Sequence, residues 1–507
     1  MAESNAESVS LAPGATGKLV ARNALLLTLS QALTIPAAVL VNALTARYLG
    51  ADIFGYLYLA GTFTGFGYVA LSWGHEGVLP AMVAQNHRIA GELLGSALAW
   101  RAATSLLIYA VMAGICHFLG YGSELQWALG LSFIAAILTS CAAACKDTIR
   151  GFERADIPAL AHVGQQFLGT ALVVPVLLLG GRMRALLCVA IATLGLVLLW
   201  LIRKLPSVGV LRLTVARSAI KALFVGGSPF VVFALAMSAQ PLIDAAYLSK
   251  LGSVAAVGWY AVARKLIGLL AFPATALIGA LYPTLCRLWA EDQDEYRRVA
   301  RGSLQSVLLL AMPVTLGCAL YPDIGITIFS KESFGPAADD LRILSGFLFL
   351  TYLTMPVGTC VLSAGKQRAW SLVQTLCVIV SLVLDPLLIP WFERNYGNGG
   401  LGPCTAALIS ELLVITLGFW LMPAGIFDAR LRRTSLFCLL SGAAMALVAW
   451  LLRSLNPFLA APVASLSYGV ALLLTGEITR SDVAKVLGAI RYKFGRLRAR
   501  LATSSHS

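Results

Sequence analysis

Apolar blocks long enough to cross a lipid bilayer recur along almost the whole chain. A helix needs about 20 apolar residues to span a hydrocarbon core about 30 Å thick. Few of the blocks alternate with a period of two, which makes a β-barrel a poor fit. The pattern predicts an all-α polytopic membrane protein with about 14 transmembrane helices. The blocks lie near 23–46, 53–73, 92–119, 126–145, 157–180, 185–202, 219–247, 254–284, 303–321, 341–363, 370–391, 400–422, 435–452 and 458–476.

Composition supports this fold class and argues against catalysis. Of the 507 residues, 59% are hydrophobic and 12% charged, against about 45–50% and about 25% in soluble domains. The ten cysteines form no CxxC pair, and His75-Glu76 lacks the second histidine of a zinc-protease motif. No glycine-rich phosphate loop or nucleophile elbow occurs. We therefore expect no catalytic residues, no metal site, no resident cofactor and no enzymatic activity.

The basic residues are distributed unevenly between the predicted loops. If the N-terminus is cytoplasmic, about 27 Lys and Arg residues fall on the cytoplasmic side and about 8 on the other. The positive-inside rule then predicts cytoplasmic N- and C-termini. It also explains the net charge of +14 through topology and anionic membrane lipids, without a nucleic-acid partner.

Two short patterns occur twice, in the same order. Arg47-Tyr48-Leu49-Gly50, followed by Gly55-Tyr56-Leu57-Tyr58, resembles Lys250-Leu251-Gly252, followed by Gly258-Trp259-Tyr260. The loop at 151–155 resembles the loop at 365–369. These repeats predict two six-helix lobes related by a pseudo-twofold axis along the membrane normal, with a substrate site between them.

The domain organisation that follows has five parts. The two lobes are followed by a pair of C-terminal helices, and polar segments occupy both ends of the chain. The predicted parts are a disordered N-terminus at 1–22, an N-lobe at 23–217, a C-lobe at 218–425, helices 13 and 14 at 426–478, and a basic cytoplasmic tail at 479–507.

Charged residues inside the predicted spans are the candidate functional residues. A charge near the bilayer centre costs about 2.5–3.5 kcal/mol on insertion scales, so such residues usually face a cavity or a partner. The basic candidates for binding an anionic substrate are Arg101, Arg264 and Lys265. The acidic candidates for ion coupling, or for pairing with those cations, are Asp244, Asp385 and Glu411.

The chain resembles the polysaccharide-transporter branch of the multidrug/oligosaccharidyl-lipid/polysaccharide (MOP) exporter superfamily. The resemblance covers roughly residues 22–425 and consists of many short matches. These are the segment from Arg47 to Tyr58, the segment from Asp244 to Leu266, Pro283 with its acidic-basic loop, Ala364–Arg368, and Asp385–Pro390, where Asp385 stands in place of the asparagine common in that branch.

The resemblance implies a flippase that carries an undecaprenyl-pyrophosphate oligosaccharide across a bacterial inner membrane by alternating access, for surface polysaccharide synthesis. It implies membrane lipids as surroundings, polysaccharide polymerase machinery as a partner, and coupling to Na⁺ or H⁺. Two alternatives share this fold: an ion-coupled multidrug exporter and a peptidoglycan-precursor flippase. A membrane glycosyltransferase or polymerase is disfavoured because the chain has no large extramembrane loop.

Overall fold

A computed structural model of the chain describes residues 13–329 and 331–477. The regular structure within these residues is helical, without a β-strand, which confirms the predicted fold class. The longer helices are α1 (Pro13–Ser72), α2 (His75–Gln85), α3 (Ala90–Phe118), α4 (Ser123–Gly151), α5 (Asp156–Leu178), α6 (Met183–Lys204), α7 (Arg217–Leu251), α8 (Val254–Glu291) and α9 (Gln293–Leu320). Then come α10 (Pro322–Phe329), α11 (Lys331–Phe334), α12 (Ala337–Ser363), α13 (Gln367–Tyr396), α14 (Leu401–Leu421), α15 (Ala429–Leu451) and α16 (Pro457–Leu474).

Twelve helical stretches of the described residues are long and apolar enough to cross a membrane, so the chain is a multi-pass membrane protein. The first of these, Leu29–Gln85, is far longer than one crossing requires. Within it, α1 is broken at Gly50, whose φ of 76° and ψ of 175° are not helical. The predicted helices 1 and 2 lie on the two sides of this break. The total of 14 spans stays a prediction.

The chain forms two compact units. The first contains the residues up to Lys265 together with Ile326–Asp340 and Gln374–Ser410. The second contains Leu266–Gly325, Leu341–Val373 and the chain from Glu411 onward. The lobe boundaries at 217 and 425 stay predictions, and the first twelve residues and the tail at 479–507 lie outside the described residues.

Each unit has its own apolar core. In the first unit, side chains of α2, α3, α4 and α6 meet around Leu79, Leu94, Cys145 and Leu201, all of which are fully buried. In the second unit, α8, α9, α12 and α14 meet around Leu285, Tyr296 and Val357, while α9 packs with α15 and α16 around Cys438 and Met445. Close packing of this kind associates helices in a bilayer, where lipid is as apolar as the side chains.

Candidate functional site

Two adjacent cations of α8, Arg264 and Lys265, lie in different surroundings within the first unit. Successive residues of a helix point about 100° apart, so neighbours cannot face the same group. The Nη2 atom of Arg264 lies 3.5 Å from Oδ2 of Asp244 on α7. The Nζ atom of Lys265 donates a hydrogen bond to Oδ1 of Asn42 on α1 and lies 4.5 Å from the centroid of the Phe54 ring. Arg264 therefore belongs to an ion-pair cluster with Asp244, and Lys265 belongs to a separate polar site with Asn42.

The ion-pair cluster contains two buried carboxyl groups and one guanidinium group. Asp244 is 1% exposed and Asp385, on α13, is fully buried. Tyr260 donates a 2.6 Å hydrogen bond to Oδ2 of Asp244, and Asp385 interacts electrostatically with both Asp244 and Arg264. If both carboxyls are ionised, the cluster carries one uncompensated negative charge, which attracts a proton or another cation.

Three of the four carboxyl oxygens of the cluster also lack a hydrogen-bond donor within the described part of the chain. Among the described residues, no donor reaches Oδ1 of Asp244 or either carboxyl oxygen of Asp385. A proton shared by the two carboxyls would supply a donor between them. One turn before Asp385, Nε2 of Gln240 donates to Oγ of Ser381 at 3.2 Å, which connects α7 and α13 at this level.

Lys265 lines a cavity of about 520 Å³ in the first unit. Its polar lining includes the amide of Asn42, the hydroxyl groups of Thr45, Tyr58 and Thr62, and the ammonium group of Lys265. The remaining lining residues are Val41, Phe54, Leu57, Gly61, Val173, Leu186, Leu187, Ala190 and Pro241. The cavity thus combines a large apolar wall with one cation whose described partners are an uncharged amide and an aromatic ring.

Tyr58 connects the cavity with the ion-pair cluster. Its ring lies edge-on to that of Tyr260, with centroids 6.2 Å apart, and Tyr58 interacts electrostatically with Arg264 and Asp244. Tyr58 also lines the cavity. A change of charge in the cluster is therefore one side chain away from the cavity wall.

Arg101 lies elsewhere in the first unit and is fully buried. Its Nε donates to Oγ of Ser140 at 2.7 Å, and its Nη1 donates to the carbonyl oxygen of Ala97 at 2.8 Å and lies 3.1 Å from Nδ1 of His75. A guanidinium group only donates, so this histidine nitrogen accepts and carries no proton. Arg101 does not line the cavity that contains Lys265, and its role toward a substrate stays a prediction.

Glu411 is half-buried on α14, in the second unit. It lies seven residues beyond Cys404, about 10 Å along the helix axis. Its role in ion coupling also stays a prediction.

Three contributors to the site are absent from the sequence-based candidates: Asn42, Tyr58 and Tyr260. Asn42 could have been identified from the sequence as a polar side chain inside an apolar block. Both tyrosines belong to the repeated segments that begin at Gly55 and Gly258, at the starts of predicted helices 2 and 8. Sequence reasoning used those segments as evidence of duplication and assigned them no part in the site.

The architecture matches that of solved transporters. An inward-facing multidrug resistance MATE family transporter of the MOP superfamily is 15% identical, with a TM-score of 0.65 over 79% of this chain and 96% of that chain. The lipid II flippase MurJ, in an inward closed conformation, is 14% identical, with a TM-score of 0.67 over 91% of this chain and 100% of that chain. A MOP superfamily transporter from Pyrococcus furiosus is 15% identical, with a TM-score of 0.53 over 80% and 94%.

These TM-scores show a shared fold, and the family follows from sequence. No curated protein matches the chain. The model of the family described as "Polysaccharide biosynthesis protein" matches residues 44–338, more than half of the chain. This segment includes the two repeated segments that begin at Gly55 and Gly258, the cavity lysine and Asp244. The chain is a multi-pass membrane protein with the fold of these MOP superfamily transporters, and it belongs to the polysaccharide biosynthesis protein family.

Proposed function

We propose that this protein flips an undecaprenyl-pyrophosphate oligosaccharide across the bacterial inner membrane by alternating access. The observation that carries the proposal is Lys265, a cation that lines a cavity and has an amide rather than a carboxylate as its hydrogen-bond partner. An ammonium group without a counter-ion attracts phosphate oxygens strongly in a water-poor site. The hydroxyl and amide groups beside it suit sugar and phosphate oxygens.

In this proposal the three basic candidates, Lys265, Arg264 and Arg101, have different roles. Lys265 contacts the pyrophosphate directly. Arg264 holds Asp244 in the state shown here and reaches the second phosphate group when that ion pair opens. Arg101, with its guanidinium group enclosed by Ser140, Ala97 and His75, holds α2, α3 and α4 together and thereby supports the cavity from a distance.

The acid pair would couple transport to an ion gradient. Asp244 and Asp385 together carry one more negative charge than Arg264 neutralises, and binding one proton or one sodium ion restores neutrality. Since a buried uncompensated charge is costly, ion binding and release at this pair would favour different arrangements of α7, α8 and α13. Lys265 follows Arg264 directly on α8, so a rotation of that helix moves both groups together.

A multidrug exporter is the alternative with the same fold. Its typical cargo is cationic, and a cavity whose charged group is Lys265 repels cations. Lys265 therefore favours an anionic cargo. The proposed orientation, with the loops rich in Lys and Arg and both termini in the cytoplasm, would deliver that cargo to the outer face.

The test uses purified protein in vesicles that contain a fluorescent undecaprenyl-pyrophosphate saccharide. An impermeant quencher reports the fraction of lipid that has reached the outer leaflet. We expect Lys265→Ala to slow flipping at least tenfold and Lys265→Arg to retain most of it, because only the latter keeps the charge. Flipping at the wild-type rate by Lys265→Ala would refute the assigned site, and failure of the wild-type protein to move this lipid would refute the function.

A further inference from the structure

A third buried carboxyl group, that of Asp340, lies in the first unit and has no part in the proposal above. It occupies the first turn of α12 and is fully buried. Its Oδ1 accepts a 3.0 Å hydrogen bond from Nδ2 of Asn398. Its Oδ2 has no hydrogen-bond partner among the described residues. A carboxylate has room for several donors, so one amide leaves this group poorly satisfied.

The surrounding backbone is shaped to admit this carboxyl group. A Cβ atom on Gly400, just before α14, would lie 2.8 Å from Oδ2 and 3.0 Å from Oδ1 of Asp340. The amide nitrogen of Gly400 donates to Oδ1 of Asn398 at 2.9 Å, and Nδ2 of Asn398 also donates to the carbonyl oxygen of Pro336 at 3.2 Å. Only glycine at position 400 lets the acid approach the start of α14 this closely.

No described basic side chain pairs with Asp340. Among the described residues, the exposed Asp339 beside it on α12 and the thiol of Cys404 on α14 interact with it electrostatically, and Glu393 on α13 accepts a hydrogen bond from Gly399, the residue before Gly400. Two of these three are acids, and the third is neutral as a thiol. Burying an ionised carboxylate without a counter-ion is far more costly than burying the neutral acid, so a bound proton is the favoured solution.

Cys404 connects Asp340 with the ion-pair cluster. The thiol is fully buried in the first turn of α14. It interacts electrostatically with Asp340 and also with Asp244, Asp385 and Arg264. Asp340 and the Asp244–Asp385 pair, the two proton-binding locations, therefore both act on one small buried side chain that is able to donate and accept a hydrogen bond.

We propose that Asp340 is a second proton-binding carboxyl group that exchanges its proton with the Asp244–Asp385 pair during the transport cycle. The inference rests on the proposed role of that pair in ion coupling. In the exchange, the O–H bond of Asp340 breaks and an O–H bond to Asp385 forms, so that Asp340 becomes the carboxylate. Asp340 regains a proton from water when the starts of α12 and α14 separate.

The test is infrared difference spectroscopy of the purified full-length chain in lipid, recorded while pH is varied. A protonated carboxyl gives a C=O band that is absent from the carboxylate. We expect Asp340→Asn to lose one such band, while the matched variant Asp339→Asn, at the exposed neighbouring position, retains it. We also expect Asp385→Asn to shift the pH at which the Asp340 band disappears, because the two sites exchange a proton and interact.

Three results would overturn the inference. One is an unchanged set of protonated-carboxyl bands in Asp340→Asn. Another is an Asp340 band whose pH dependence is the same with and without Asp385. The third is a large fall in Tm for Asp340→Asn. Asparagine has nearly the shape of a neutral aspartic acid, so it should replace a protonated Asp340 at little cost. It cannot replace an ionised Asp340 that accepts a hydrogen bond from Asn398. None of these readouts measures lipid flipping, so failure of this inference is distinguishable from failure of the proposed function.

Discussion

Gly55 and Gly258 occupy equivalent positions of the two sequence repeats, and each one lies against the helix that contains the other. A Cβ atom on Gly55 would lie 2.4 Å from the carbonyl oxygen of Val254, and one on Gly258 would lie 2.2 Å from that of Ala51. Val254 and Ala51 are themselves equivalent, four residues before each glycine. The predicted twofold relation between the repeats accounts for this reciprocity, and the two helices approach so closely because neither glycine has a side chain.

We expect Gly55→Val and Gly258→Val each to lower stability by about 1–3 kcal/mol, because the added side chain meets backbone that has to move. The change is measured as the Tm of the purified protein. Gly65→Val, on the same half of α1, is the matched control, since nothing lies within 4 Å of a Cβ atom there. A fall as large in Gly65→Val would contradict the packing argument.

Removing the cation from the ion-pair cluster should be strongly destabilising. Arg264→Met leaves Asp244 and Asp385 buried without a neutralising charge, and breaking a buried pair on one side costs about 3–5 kcal/mol. Arg264→Met/Asp244→Asn should recover part of that loss, which a double-mutant cycle of unfolding free energies measures.

The control for this cycle is Arg184→Met. The Nη2 atom of Arg184 lies 3.8 Å from Oε1 of Glu124, and both side chains are about 60% exposed. Loss of this exposed ion pair should cost about 0–1 kcal/mol of stability. Equal effects of the Arg264 and Arg184 substitutions, or strictly additive effects within the cycle, would show that the buried cluster is not energetically coupled.

The enclosure of Arg101 predicts that Ser140 contributes to the stability of the protein. Ser140→Ala leaves the Nε donor of a buried guanidinium group without a partner, which costs about 1–3 kcal/mol. The control is Ser105→Ala on α3, where an exposed hydroxyl group bonds within its own helix and loss should stay within about 0.5 kcal/mol. Unfolding midpoints in detergent check both values. If Ser140→Ala reduced lipid flipping with no change in stability, Arg101 would instead act on the substrate.

A carboxylate introduced beside Lys265 should impair transport without unfolding the protein. Asn42→Asp places a negative charge at the hydrogen-bond partner of the lysine, which neutralises the cation and repels phosphate. We expect at least a tenfold slower flipping rate in vesicles, while Asn42→Gln, which keeps an uncharged amide, loses much less. Rates that are equal in the two variants would rule out a cavity charge as the basis of cargo recognition.

The amino-acid sequence by itself determined the fold class. The apolar blocks specify where helices cross the bilayer, because a helix satisfies its backbone hydrogen bonds internally wherever water is absent. The blocks near 92–119 and 400–422 coincide closely with α3 and α14, and the repeated segments that begin at Gly55 and Gly258 indicated the duplication. The positions of the helices along the chain depend only on the local pattern of apolar residues and on the thickness of the bilayer.

Only the tertiary structure decided which intramembrane charges meet. Asp244 and Asp385 are 141 positions apart, and no local pattern places them beside Arg264. Arg101 had the same sequence signature as Lys265, yet the structure encloses Arg101 among Ser140, Ala97 and His75 and leaves Lys265 at a cavity. Asp340 was not among the candidate residues of the sequence analysis. The physical reason is that the cost of a buried charge depends on neighbours brought in by packing, which the spacing of residues along one helix does not specify.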